Sequence, residues 1–187
     1  MNLWQIELIP WYAFLIYWVI SATRLKQTKS EEDRAGRLFH IAVLVIAFYL
    51  LFRTGFGIPA LEARFVPESS PLLYIGIALT WLGVAFAIWA RYTIGTNWSG
   101  RVTLKVDHEL IQSGPYAFVR HPIYTGLLLA NTGAALFIGE WRCLLAILIF
   151  LAEMSRKARK EEGVMLSAFG ERYMEYRKRT GFLVPGL

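Results

Sequence analysis

The chain has 187 residues, the length of one ordinary domain, but 56% of them are hydrophobic and 15% aromatic, and the mean hydropathy is +0.41. Such a composition excludes a highly charged disordered chain and points to the membrane. The net charge of +6 fits basic residues set against anionic headgroups, so no nucleic-acid partner is inferred from the sequence pI of about 9.6. A single cysteine, Cys143, excludes an internal disulfide. It lies in an apolar run, where a thiol is usually inert.

Taken in order, the apolar runs approach the about twenty residues that cross a bilayer. Leu3 to Ala22 carries only Glu7 as a charge, and its basic residues follow it, unlike a cleavable signal peptide. The run reads as a spanning helix with a kink at Pro10. Leu38 to Gly57 is the second span and Arg53 snorkels near its end. Gly57 to Pro71, rich in proline and serine, is a loop. Leu72 to Ala90 is the third span. Ile123 to Gly139 and Trp141 to about Ala152 form a short helical hairpin, the fourth and fifth spans. The expectation is therefore an all-α integral membrane protein of five transmembrane helices. It is one domain over residues 1–187, with a three-helix membrane part (1–90) and a functional part (91–187).

Seventeen of the twenty Lys and Arg residues lie in three segments, Arg24 to Arg37, Arg91 to Arg120 and Arg156 to Arg179. Only Arg53, Arg64 and Arg142 fall near the opposite face. Because basic loops stay cytosolic, the amino terminus is expected outside and the carboxyl terminus in the cytosol.

Two cytosolic segments carry chemistry. In the first, Gly114-Pro115 and His121-Pro122 interrupt any helix. Pro122 then suits the first position of a new one, where its missing N–H costs nothing. Free N–H groups and a partial positive charge at that helix start suit a carboxylate or phosphate, and Arg120 adds a permanent cation. His121 either caps this helix or contacts a ligand. The second segment is Glu153 to Arg179. Lys157 and Glu161 share a helix face, Glu162 points about 100° away, and Phe169, Tyr173 and Tyr176 form an apolar stripe. Gly163 and Gly170 weaken helix, so two short helices are expected here. No GxxxxGK[ST], and no GxGxxG after a strand, is present.

GPYAFVRHPIYTG followed by KEEGVMLSAFGERYMEYRKR and the LVPGL tail resembles the isoprenylcysteine carboxyl methyltransferase family and its phospholipid methyltransferase relatives. The resemblance covers roughly Ala90 to Leu187. It implies a membrane enzyme that takes S-adenosylmethionine from the cytosol and a lipidic methyl acceptor from the bilayer, with no metal. It also implies cofactor contacts at His108, Glu109, Leu110, Ile111, Tyr116, His121, Pro122, Ile123, Tyr124 and Glu161. Lys157 stands where the family has a substrate-positioning arginine, keeping the charge but losing the bidentate fork. Arg120 either positions substrate or ties the loop to Glu161 or Glu162. The acceptor is expected to be the carboxylate of a prenylated or lipidated cysteine. The rivals are a lipid N-methyltransferase, a membrane reductase using a nicotinamide cofactor, and a non-enzymatic scaffold.

Overall fold

The structure is a computed structural model, and it describes residues 2–23, 34–98 and 109–186. Among them, seven α-helices account for most of the chain: α1 (Leu3–Ala22), α2 (Arg34–Phe52), α3 (Pro59–Glu62), α4 (Leu72–Ile94), α5 (Pro122–Ile138), α6 (Trp141–Phe169) and α7 (Glu171–Arg179). Short 3-10 turns follow α4 at Gly95–Asn97 and precede α5 at Gly114–Ala117. Three helical stretches, Leu3–Ala22, Arg34–Phe52 and Leu72–Asn97, are long and apolar enough to cross a membrane. Their outward faces carry large exposed apolar side chains such as Leu15, Val19, Leu38, Val45 and Leu82. On a soluble protein such a continuous apolar face would be a liability; in a bilayer it is the solvent-facing side.

The helix limits differ from expectation for identifiable reasons. α1 runs unbroken through Pro10, with Asn2 and Gln5 forming a reciprocal cap at its start. α2 begins at Arg34, earlier than the apolar run, and stops at Phe52, ahead of Gly55 and Gly57, which both adopt φ 71°. α4 continues past Ala90 because Arg91 does not end it. Its guanidinium is buried and bonds the carbonyls of Gly95 (2.8 Å) and Ser21 (2.9 Å). The proline-rich loop contains α3 and reaches Glu140 through a bridge from Arg64. Gly163 breaks nothing, and α6 is continuous for 29 residues, about 43 Å at ~1.5 Å per residue. It packs along α2 and buries Glu153, Met154, Lys157 and Ala158 on its polar half, so tertiary burial outweighs the modest cost of one glycine. The chain turns at Gly170, whose φ of 52° ends α6 and starts α7.

α4 and α5 form the most intimate pair. A Cβ built at Gly83 would sit 2.4 Å from the Ala130 nitrogen, and one at Gly133 would sit 2.5 Å from the Gly76 carbonyl oxygen. These backbones touch, as small residues permit between helices in lipid. The contact fixes the position of the start of α5, and with it the site.

Candidate functional site

Pro122 is the first residue of α5 and His121 its N-cap, but the His121 side chain makes no capping bond. The ring instead lies between two carboxylates of α6. Its Nδ1 is 3.5 Å from Glu161 Oε2, and its Nε2 is 3.6 Å from Glu162 Oε1. Glu162 therefore does not point away as helix geometry alone suggested; the ring sits at the junction and meets both residues. At 3.6 Å the Nε2 contact is an ion-pair distance and too long for a hydrogen bond, so this buried nitrogen has no hydrogen-bond partner. Tyr124 stacks on His121 with ring planes 4° apart, and its hydroxyl donates to Glu161 Oε1 at 2.7 Å.

Glu162 and Arg120 tie the site to the carboxyl-terminal segment. Arg120 Nε donates to Glu162 Oε1 at 2.5 Å, and its NH1 donates to the carbonyls of Arg177 (3.2 Å) and Thr180. The main chain of Arg120 donates to the Gly181 carbonyl (2.9 Å), Gly181 donates to the Phe118 carbonyl (3.0 Å), and Thr125 Oγ1 donates to that of Leu183 (2.7 Å). Phe182 packs edge-on against His121. The tie, one of the two roles the sequence leaves open to Arg120, is made to Glu162, and Arg120 also lines the cleft described below. Tyr176 adds another link by donating to the Tyr116 carbonyl at 2.7 Å.

The electrostatics follow from this packing. Burial alone lowers the His121 pKa, but the Glu161 and Glu162 carboxylates on either side of the ring outweigh it and the net direction is upward. Burial raises Glu161, yet His121, Lys157 and Tyr124 together hold it below the usual carboxylate value. Glu162 is raised by burial and lowered more strongly by His121 and Arg120, to about 2. Burial pushes the Tyr116 phenol well up.

Tyr116, Arg120, His121, Tyr124 and Glu161 line a cleft of about 880 Å³, the open solvent at its mouth included. Of the residues singled out in the sequence, Glu109, Leu110, Ile111, Tyr116, Arg120, His121, Ile123, Tyr124 and Glu161 line it. Pro122 is buried behind the wall, and His108 lies outside the described residues. Lys157 is buried and faces α2, its Nζ 3.4 Å from His40 Nε2, and it is not among the lining residues. The sequence reading missed the contributions of Asn97, Trp98, Val164, Met165, Tyr173 and Tyr176. Trp98 is set by the Arg91 guanidinium, 4.5 Å above its ring, and Asn97 Oδ1 accepts from the Glu109 main chain at 3.3 Å. The cleft suits a ligand with both an aromatic and a charged part: tyrosine, tryptophan and isoleucine form the walls, while Glu161 and Arg120 supply charged groups.

Comparison with known proteins finds relatives of this chain. Residues 76–167, the stretch from α4 through the α6 carboxylates, match the model of the isoprenylcysteine carboxyl methyltransferase (ICMT) family. The chain is 30% identical over 188 residues to protein-S-isoprenylcysteine O-methyltransferase of Homo sapiens, covering 97% of this chain and 64% of the human protein. It is 35% identical over 80 residues to the enzyme of the same name in Schizosaccharomyces pombe, covering 42% of this chain and 34% of that one. The chain thus spans less than two thirds of the length of these ICMT relatives. A solved structure described as the eukaryotic intramembrane Ras methyltransferase ICMT superposes with a TM-score of 0.59 at 22% identity, covering 97% of this chain and 68% of that chain. The all-helical fold is that of an ICMT membrane protein.

Proposed function

We propose that this protein is an S-adenosylmethionine-dependent methyltransferase that esterifies the free carboxylate of a prenylated or otherwise lipidated cysteine. Bound in the cleft, the cofactor supplies a methyl group already activated by a sulfonium. What remains for the chain is alignment and exclusion of water. Ile123 and Tyr124 present main-chain N–H groups at the start of α5, suited to the cofactor carboxylate. Glu161 accepts hydrogen bonds from an amine or ribose hydroxyl, and Tyr116 and Tyr124 give aromatic faces to the adenine or sulfonium. Arg120, on the cleft wall, is assigned to the acceptor side. Lys157 lies behind the wall, where its charge acts through Glu161.

The observation that carries the carboxylate reading is the acid–base state of the site. Glu161 is held below the usual carboxylate value by His121, Lys157 and Tyr124, and His121 is drawn toward its protonated form by the two glutamates. Neither is a good proton acceptor. A carboxylate acceptor is already ionised and requires none, whereas an ammonium acceptor must first lose a proton. The membrane arrangement proposed with it has five crossings, α5 and the first half of α6 completing the three long helices. The cleft faces the cytosol because the end of α4, the start of α5 and the basic segment Arg156 to Arg179 all meet there. Titration of purified protein with S-adenosylhomocysteine tests the cofactor assignment. Saturable binding is expected, weakened by about 1 to 3 kcal/mol in Glu161→Ala and His121→Ala. Binding of NADPH in its place would refute it.

A further inference from the structure

Outside the cleft, α2 and α6 bury a second polar cluster. His40 Nδ1 is 2.6 Å from Glu153 Oε1, and His40 Nε2 is 3.4 Å from Lys157 Nζ. Arg156 binds both oxygens of Glu153, Nε to Oε2 at 2.7 Å and NH2 to Oε1 at 2.5 Å. Glu153 and Lys157 are buried. One tautomer satisfies both sides of the imidazole: Nδ1–H donates to Glu153, and the Nε2 lone pair accepts from the Lys157 ammonium.

The spacing along α6 gives this arrangement a consequence. Lys157 stands one turn after Glu153 and one turn before Glu161 on a continuous helix. Both carboxylates are therefore within reach of its side chain. Of the two pairings, a glutamate four residues ahead of a lysine is the better oriented, so without intervention Glu153 would win. His40, brought in from α2, shares Glu153 Oε1 with Arg156 on the side facing the lysine and turns its acceptor nitrogen toward Lys157.

We propose that His40 is a positioning residue of the cofactor site: it keeps Lys157 from pairing with Glu153, so that the lysine charge acts on Glu161. Lys157 is among the groups that hold Glu161 below its usual value, which agrees with a charge directed that way. The inference rests on the reading of Glu161 as a cofactor ligand. It also makes α2, otherwise a lipid-facing helix, a contributor to cofactor affinity.

The test is calorimetric titration of S-adenosylhomocysteine into the full chain in detergent, for wild type, His40→Ala, His40→Gln and the double variant His40→Ala/Glu153→Gln. His40→Ala is expected to weaken binding about fivefold, the size of one partly exposed ion pair. His40→Gln, whose amide can donate to Glu153 and accept from Lys157, should recover most of the affinity. The double variant should recover it too, because the competing carboxylate is gone. A merely structural role predicts the reverse, with the double variant weaker than the single. That result, or wild-type affinity in every variant, overturns the proposal while leaving the cofactor reading intact. Absence of binding by the wild type overturns both.

Discussion

Glu162 offers the sharpest energetic prediction, because three cationic groups converge on one buried carboxylate. Arg120 Nε lies at 2.5 Å, His121 Nε2 at 3.6 Å and Arg177 Nε at 3.6 Å, and Glu162 is only 8% exposed. Burial pushes its pKa up, but His121 and Arg120 bring it from the ordinary 4.5 down to about 2. A difference of that size corresponds to about 3 kcal/mol of folding stability. The folded value is the depressed one, so this stability is present above pH 4.5 and is lost as the pH falls toward 2. Glu162→Gln keeps the shape and removes the charge. Thermal unfolding of detergent-purified protein at stepped pH should show the variant about 3 kcal/mol less stable near neutrality. The two curves should converge below pH 4.5. Parallel curves, or equal stability at pH 7, would refute the view that Glu162 anchors the loop, the start of α5 and the carboxyl-terminal segment.

Other expectations follow from the same geometry. Gly133→Ala places a methyl group 2.5 Å from the Gly76 carbonyl oxygen and the Thr80 nitrogen; the helices must part, at a cost of about 1 to 3 kcal/mol, and S-adenosylhomocysteine affinity should fall with the displaced start of α5. Glu162→Ala should weaken that affinity less than Glu161→Ala once folded protein is selected, since Tyr124 and Glu161 line the cleft whereas Glu162 serves the Arg120 tie. A cysteine introduced at Ser69 should react only with reagent outside the cell and one at Ser167 only from the cytosol; labelling of both from one side would contradict the five-crossing arrangement.

The apolar runs and the prolines made much of this molecule legible from its residues. Pro122 announced the start of α5, because a proline ring fits a helix start and little else in such a run. The meeting of His121 with Glu161 depends on α5 and α6 lying side by side, and the sequence carried it only as a resemblance. Gly163 misled, since local propensity says nothing of the packing against α2 that holds α6 straight. Tyr173 and Tyr176 were visible as an apolar stripe, but Gly170 turns α7 back and directs them to the cleft and the core, apart from Phe169, which ends α6. His40 carries no signal in the sequence beyond being a polar residue within α2. Its meaning appears only when α6 brings Glu153 and Lys157 to either side of the ring.

The acceptor is the centre of the account, and one labelling experiment addresses it directly. Membranes containing the protein are incubated with methyl-labelled S-adenosylmethionine and a prenylcysteine analogue bearing a free carboxylate, and the products are treated with mild base. A methyl ester releases volatile labelled methanol, and that release should depend on the analogue and disappear with Glu161→Ala. Label that stays in a base-stable phospholipid, with none released from the analogue, would contradict carboxyl methylation and identify the protein as a lipid N-methyltransferase.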